Sequence, residues 1–273
     1  MNLVMRLLLP LLLAVGGAWT ALAGCQNPQA SDVFATEDFR ELSLTPSVEP
    51  DTLLRPDVPP LRELLGHVDP GADTSFVEIT EHMSSRRGLF LRKEACDAFE
   101  TMYEAAAQEG IVLTALSATR PFGHQAAIWN RKWNRPQTMG MAPLERARHI
   151  LMYSSMPGSS RHHWGTDVDI YSLEPDDFAT GTKGAEVLAW LREHGKEHGF
   201  VEVYTPDPGR PGYQPEAWHW SYSPLSSAYL SALNKAVNQG SMPPFEGFEG
   251  AQWADSLRIV PDYINGINPA LKR

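Results

Sequence analysis

Two short motifs rich in histidine and acidic residues constrain the fold of this chain, because they must meet in space to act together. The first reads Ser-Arg-His-His-Trp-Gly-Thr-Asp-Val-Asp at residues 160–169, and the second reads Glu-Ala-Trp-His-Trp at residues 216–220. Together they supply imidazoles, carboxylates and a spare glutamate. Three protein ligands with a fourth position left open for water make up a catalytic zinc site.

We predict that His162, Asp169 and His219 bind the metal ion and that Glu216 is the base that activates water at the open position. Asp167 is a rival ligand, since it shares a strand face with Asp169. We favour a supporting role for Asp167, in which its carboxylate orients a histidine.

The residues around the first motif indicate how its ligands approach each other. Polar and apolar residues alternate over 167–171, which is typical of a half-buried strand with both aspartates on one face. Gly165 permits a tight turn just before this strand, so that His162 folds back toward Asp169. Trp218 in the second motif either packs or contacts substrate, and the sequence leaves both interpretations open.

These motifs resemble those of the VanY-type D-alanyl-D-alanine carboxypeptidases, which belong to a metallopeptidase group that includes lysostaphin-like enzymes and the hedgehog signalling domain. The family pattern is Ser-x-His-x-x-Gly-x-x-x-Asp and then a distal Glu-x-x-His, and every fixed position is present in this chain. A third family element, Ser-Gly-Tyr-Arg followed by Gln, is represented by Ser117, Arg120 and Gln125. The resemblance covers residues 85–223, and it departs from the family at Ala118-Thr119 and at Asp167.

The resemblance implies a fold and further roles for side chains. It implies an α+β domain, with a small antiparallel sheet that carries zinc and helices packed on one side of the sheet. Arg120 would stabilise an oxyanion or hold a peptide carboxylate, tasks that suit its planar guanidinium. Ser160 and Gln125 would position substrate or support the metal ligands. Ser117 and Trp218 are further candidates for substrate contact.

The activity implied is zinc-dependent D,D-carboxypeptidase cleavage of the terminal D-Ala-D-Ala bond of peptidoglycan stem peptides. Two alternatives remain open at this point. The same zinc site serves L,D-carboxypeptidases and peptidoglycan endopeptidases, and the altered residues 118, 119 and 167 could move specificity that way. A non-catalytic zinc-containing module that binds the cell wall is the other alternative, although such a module has no need of Glu216.

The N-terminus predicts export to the cell envelope. Arg6 precedes an apolar run that is broken by Pro10 and ends in Leu-Ala-Gly-Cys at residues 22–25, which has the outline of a bacterial lipobox. We therefore expect residues 1–24 to be a signal peptide and Cys25 to be lipidated as the membrane anchor. Cleavage by an ordinary signal peptidase after Ala23 is the alternative. Gln26 follows the cysteine, which favours the outer membrane as the destination.

Composition and local patterns complete the predicted organisation. We expect a lipid-linked tether at 25–60, a zinc peptidase domain at 61–239 with its core at 85–223, and a C-terminal appendage at 240–273. We also expect the protein to be a monomer. A net charge of −10 argues against a nucleic-acid partner. The predicted helices are 93–109, 122–134, 143–154, 184–198 and 225–239, and the predicted strands are 111–118, 167–171, 200–204 and 218–222.

Overall fold

The computed structural model describes residues 57–272. The predicted signal peptide, Cys25 and most of the predicted tether lie outside these residues. Among the helices within 57–272, none combines the length and the apolar character needed to cross a membrane.

Two antiparallel sheets form the β part of the domain. A two-stranded sheet pairs the first two strands, and a four-stranded sheet has the order β3-β4-β6-β5. The strands are β1 (Phe76–Glu78), β2 (Phe90–Arg92), β3 (Ala115–Ser117), β4 (Asp167–Ile170), β5 (Phe200–Tyr204) and β6 (Glu216–Tyr222). Because β6 lies between β4 and β5, the two sequence motifs become neighbouring strands.

Helices cover the sheet and supply much of the apolar core. They are α1 (Leu61–Leu64), α2 (Lys93–Gln108), α3 (Phe122–Trp133), α4 (Pro136–Met139), α5 (Pro143–Ile150), α6 (Lys183–His194) and α7 (Ser223–Asn238). In α2, Cys96, Phe99, Met102 and Ala106 recur at helical spacing and are all buried. Burial raises the pKa of the Cys96 thiol to about 11, which suits a packing role. The predicted α+β fold is confirmed.

The predicted elements near the site differ from the structure mainly at their ends. Strand β3 begins at Ala115 rather than at 111, and β4 stops at Ile170 because Tyr171 adopts a left-handed φ of 74°. Helix α5 ends at Ile150 instead of 154, where the carbonyl of Met152 accepts a hydrogen bond from the distant Gln214 N–H at 3.1 Å. Strand β6 starts at Glu216, two residues earlier than predicted, so the predicted base lies on the strand itself.

Residues 240–272, predicted as an appendage, pack against the same core as the sheet. Ile259, Ile264 and Leu271 are each at most 1% exposed. The backbone N–H of Asn268 donates to the carbonyl of Val203 at 2.9 Å, and its side-chain amide donates to the carbonyl of Glu202. These bonds fasten the segment to strand β5.

Candidate metal centre

Three side chains from the two motifs converge on one buried point. The candidate ligand atoms of His162, Asp169 and His219 all lie within 4.8 Å of one another. The side-chain oxygen Oδ1 of Asp169 is 3.3 Å from Nε2 of His162 and 3.6 Å from Nδ1 of His219. None of the three residues is more than 5% exposed. The cluster comprises the three residues that the sequence analysis assigns as metal ligands.

His162 is oriented by the backbone around it. It lies in a 3-10 turn, Arg161–Trp164, that ends at Gly165 with a left-handed φ of 75°. The ring nitrogen Nδ1 is 2.8 Å from the carbonyl of Ala118, which makes Nδ1 the protonated nitrogen. Burial, with a further contribution from Arg120, lowers the pKa of His162 to about 4. The neutral ring therefore presents the lone pair of Nε2 to the cluster.

Strand register brings Asp169 and His219 together. The two residues are direct partners in the antiparallel pairing of β4 and β6, and Ser117 is the partner of Asp169 on β3. Directly opposed side chains in an antiparallel pair have their Cβ atoms about 5 Å apart, a distance that suits shared coordination of one ion. Val168 is fully buried on the other face of β4, as the alternation predicts.

A carboxylate holds the far side of the His219 ring. Oδ2 of Asp167 lies 3.0 Å from Nε2 of His219, so Nδ1 is the nitrogen turned toward Asp169. Asp167 is itself fixed by the buried guanidinium of Arg161 at 2.9 Å and by the hydroxyl of Ser221 at 2.7 Å. This is the arrangement in which a carboxylate sets the orientation of a metal-ligating histidine.

The charges around His219 and Asp167 shift both groups toward their charged forms in the metal-free protein. Although burial opposes the change, hydrogen bonds to Asp167 and Glu216 raise the pKa of His219 to about 9. Burial also opposes ionisation of Asp167, but Arg161 and His219 hold its pKa well below the usual range. Asp167 is therefore a permanent carboxylate at neutral pH.

Glu216 reaches the same point because β6 is irregular. Residues three apart on a regular strand face opposite sides. The pairing of β5 with β6 shifts between Glu202 and Tyr204, and Oε2 of Glu216 lies 3.1 Å from Nδ1 of His219. Burial raises the pKa of the Glu216 carboxyl. A carboxylate of raised pKa beside the three candidate metal ligands is suited to accept and return a proton.

The donor set fits a bound metal ion. Within residues 57–272, neither Nε2 of His162 nor Oδ1 of Asp169 has a hydrogen-bond partner, although both atoms are buried. Buried polar atoms without partners are uncommon, and an ion between them satisfies both. Two imidazole nitrogens and one carboxylate oxygen match the ligand types of catalytic zinc.

The cluster opens into a cleft of about 640 Å³ that contains several predicted residues. Its lining includes Ser117, Arg120, Asp169, Glu216 and Trp218. The Trp218 ring lies 6.4 Å from that of Tyr153 and 6.3 Å from that of Phe178. Trp218 therefore both packs and borders the cleft, so the two interpretations of this residue are compatible.

Other residues carried by the resemblance lie behind the cleft wall. Gln125 is fully buried, and its side-chain oxygen accepts a hydrogen bond from Arg120 at 3.0 Å, so it acts on the cleft through Arg120. Ser160 is 1% exposed, and among the described residues its hydroxyl has no hydrogen-bond partner. Ala118 and Thr119 are also buried and do not line the cleft, so their departure from the family pattern does not change its surface directly.

Some residues that support the site were not predicted from the sequence. Arg161 and Ser221 hold Asp167, although neither was assigned a role. The ring of Tyr204 lies edge-on to His219 at 4.9 Å, backed by Tyr213 and then by Tyr263 of the C-terminal segment. Arg161 lies inside the first motif and could have been suspected, whereas the tyrosine series depends on contacts between distant segments.

Comparisons with known proteins identify a family and several relatives. The family model described as VanY, D-alanyl-D-alanine carboxypeptidase, matches residues 88–225. YodJ of Bacillus subtilis (strain 168) is 26% identical over 202 residues, which is 72% of this chain and 61% of YodJ. A D-alanyl-D-alanine carboxypeptidase of Enterococcus faecalis (strain ATCC 700802 / V583) is 28% identical over 142 residues, 52% of this chain and 49% of that protein. The matches thus span less than two thirds of these relatives.

Two solved structures are also similar. A variant of the vancomycin-resistance D,D-pentapeptidase VanY with Zn(II) gives a TM-score of 0.46 at 23% identity, covering 63% of this chain and 89% of that chain. VanYB with D-alanine-D-alanine gives a TM-score of 0.45 at 21% identity, covering 69% and 92%. Because the family model spans half of the chain and includes both histidine motifs, this protein belongs to the VanY family.

Proposed function

We propose that this protein is a zinc-dependent D,D-carboxypeptidase that removes the terminal D-alanine from peptidoglycan stem peptides ending in D-Ala-D-Ala. The observation that carries the proposal is the position of Glu216, a buried carboxylate 3.1 Å from Nδ1 of His219 at the edge of the cleft. A site that only bound metal would have no use for a carboxylate of raised pKa at this point. Membership of the VanY family supports the same reaction class.

The metal ligands would be Nε2 of His162, a carboxylate oxygen of Asp169 and Nδ1 of His219. When bound there, zinc supplies a Lewis acid that polarises the scissile carbonyl and lowers the pKa of water. Asp167 remains outside the ligand set, because its carboxylate is engaged by Arg161, Ser221 and the other nitrogen of His219.

Glu216 moves the proton in the proposed reaction. As a carboxylate it accepts a proton from the attacking water, and its raised pKa lets it retain that proton until the peptide bond breaks. It then donates the proton to the amine of the departing D-alanine. Burial of Glu216 and His219 keeps bulk water from competing for the proton.

Arg120 binds the anionic part of the substrate. Its guanidinium lines the cleft and is held by Gln125, whose amide in turn donates to the carbonyl of Ser155 at 2.7 Å. A fixed guanidinium suits either the terminal carboxylate of the peptide or the oxygen that becomes negative during attack. Ser117 lies beside Asp169 on the neighbouring strand, within reach of the same peptide end.

The other wall peptidases that the sequence leaves open receive less support. The altered residues Ala118 and Thr119 are buried away from the cleft surface, and Asp167 is engaged with His219 rather than exposed to substrate. These were the features that favoured a shifted specificity. The D,D-carboxypeptidase assignment therefore stands first.

The test is mass spectrometry of purified muropeptides after incubation with zinc-loaded protein, with and without a chelator. We expect loss of a single alanine from pentapeptides, abolished by the chelator. Loss from tetrapeptides would indicate an L,D-carboxypeptidase, and splitting of cross-linked dimers would indicate an endopeptidase. Unchanged muropeptides in the presence of bound zinc would leave a wall-binding module as the better description.

We further propose that the protein is exported and anchored to the membrane through lipidated Cys25, and that it acts as a monomer. The lipobox-like sequence before Cys25 and the Pro-rich stretch after it support the anchor. Labelling cells with an alkyne-tagged fatty acid tests this, with Cys25→Ala as the matched variant. A label that persists in that variant, or that is absent from the parent protein, would refute the anchor. Light scattering of the purified protein measures the oligomeric state.

A further inference from the structure

One wall of the cleft carries more positive charge than cleavage of a peptide bond requires. Besides Arg120, the lining contains Arg86, Arg131, Lys132 and Arg135. The acidic lining residues are Asp169 and Glu216 of the metal centre, together with Glu174. The chain as a whole has a net charge of −10, so this concentration of cations runs against its overall balance.

Helix α3 carries two of these cations, Arg131 and Lys132. His124, Ile128 and Arg131 recur at the spacing that forms one face of a helix, and all three line the cleft. Arg135 continues this series just beyond the helix end. The buried residues Trp129 and Trp133 anchor the opposite side of α3 in the core. The helix is thus fixed with its cationic face toward the cleft.

The cations of this wall are not neutralised by the protein. Across residues 57–272, Arg86, Arg131, Lys132 and Arg135 form no ion pair, whereas Arg161 pairs with Asp167. Lys132 is half-buried, and its Nζ atom donates to the hydroxyl of Ser154. Burial, with further contributions from the nearby charges of Arg135 and Arg120, lowers the pKa of Lys132.

Another part of the lining differs in character. Tyr153 and Trp218 pack side by side there, with Leu173 and Pro175 nearby in the lining. A cleft lined by cations and by aromatic side chains suits an extended peptide that carries negative charges. The electrostatic potentials of neighbouring cations add within such a cleft and attract an anionic ligand.

We propose that the cationic wall formed by Arg86, Arg131, Lys132 and Arg135 binds free carboxylates on residues that precede the cleaved bond, so that the enzyme selects acidic stem peptides over amidated ones. This inference rests on the proposed carboxypeptidase function and adds the substrate class. Arg120 serves the end of the peptide beside the metal centre, and the wall serves carboxylates further along the chain. Amidation removes the charge but leaves the shape almost unchanged, so it isolates the electrostatic contribution.

The test uses two synthetic pentapeptides ending in D-Ala-D-Ala. In one, the carboxyls of a γ-linked D-glutamate and of the diaminopimelate side chain are free, and in the other both are amidated. We measure kcat/KM for D-alanine release by the zinc-loaded protein, by the double variant Arg131→Gln/Arg135→Gln, and by Arg62→Gln. Arg62 is an exposed arginine of α1 outside the cleft, so its variant controls for the loss of one positive charge.

The parent protein and Arg62→Gln should both prefer the free-carboxylate peptide by about fivefold or more, since each exposed pair contributes a modest energy. The double variant should lose most of that preference through a higher KM, with kcat nearly constant. The preference should also shrink at high ionic strength, because salt screens exposed charges. Equal hydrolysis of both peptides by the parent protein, or an equal loss on both peptides in the double variant, would overturn the proposal.

A binding measurement separates this inference from the proposed reaction. Calorimetric titration of both peptides into zinc-loaded Glu216→Gln protein reports affinity without turnover. If the parent protein releases no D-alanine from either peptide, the proposed function fails. The calorimetric affinities then test by themselves whether the cationic wall binds free carboxylates. Tighter binding of the free-carboxylate peptide supports that proposal, and equal binding of both peptides refutes it.

Discussion

Asp167 accepts a hydrogen bond from Nε2 of His219 at 3.0 Å while Arg161 holds the same carboxylate oxygen at 2.9 Å. The contact joins a predicted ligand to Asp167, a position where this chain departs from the family pattern. It fixes which nitrogen of His219 faces Asp169. The Asp167 carboxylate therefore orients His219 and is not itself one of the candidate metal ligands.

Replacing Asp167 tests that role. We expect Asp167→Ala to weaken zinc binding about 10- to 100-fold, because the histidine loses its orienting partner. We also expect a loss of about 3 kcal/mol or more in the free energy of unfolding, because Arg161 remains buried without its counter-charge. Zinc titration and chemical denaturation measure the two effects. The double variant Asp167→Ala/Arg161→Met should recover much of the stability without recovering zinc affinity, and recovery of both would contradict the orienting role.

Replacing Glu216 should affect turnover but not metal binding. We expect Glu216→Gln to retain stoichiometric zinc and to lose about 100-fold or more in kcat, because the amide cannot accept or return a proton. Metal analysis and the D-alanine release assay provide both readouts. His219→Ala is the contrasting variant, since it should lose zinc and activity together. An active Glu216→Gln protein would exclude Glu216 as the base.

Zinc uptake should release a proton from His219. The pKa of this ring is raised to about 9 in the metal-free protein, so below pH 9 zinc displaces a proton from the nitrogen that it occupies. The apparent zinc affinity should therefore fall about tenfold per pH unit as the pH drops below 9, until other ligands titrate. Calorimetry in buffers of different ionisation enthalpy counts the protons. A zinc affinity that is constant between pH 7 and pH 9 would contradict the assignment.

Protonation of His219 should also change the free energy of unfolding of the metal-free protein with pH. Because its pKa is raised above the usual value of about 6.5, the charged ring stabilises the metal-free fold fully below that pH. This contribution is then lost as the pH rises through about 9. Denaturation of the metal-free protein across this range measures it. The variant His219→Gln should show a flatter dependence.

Replacing Gly165 tests the importance of the turn that positions His162. A Cβ atom there would overlap the ring of Phe76, and the residue has a φ of 75°. We expect Gly165→Ala to cost roughly 2–4 kcal/mol through backbone strain and overpacking combined, and to weaken zinc binding. Gly181 is the matched control, because its φ is also positive at 90° but a Cβ atom there meets nothing within 4 Å. Equal destabilisation by both substitutions would show that steric conflict at Gly165 does not matter.

The family, the α+β class and the local geometry of each motif were predictable from the amino-acid sequence alone. The class and the local geometry follow from short-range rules, since strand alternation, helical spacing and the glycine before β4 depend only on neighbouring residues. The family was recognisable because the motifs resemble those of known members. Thus residues 93–109 and 200–204 were predictable as a helix and a strand from their apolar patterns alone. The identities of His162, Asp169, His219 and Glu216 were also readable, because each lies at a fixed position of a motif.

How the motifs meet, and which residues surround them, depends on contacts between segments that are distant along the chain. The pairing of Asp169 with His219 and the bond from His219 to Asp167 depend on the register between β4 and β6, which no local pattern specifies. The cationic face of α3, the engagement of Gln125 with Arg120 and the packing of residues 240–272 on β5 likewise join segments that are distant along the chain. Such contacts arise from packing the whole core, so they become visible only when all of its elements are in place.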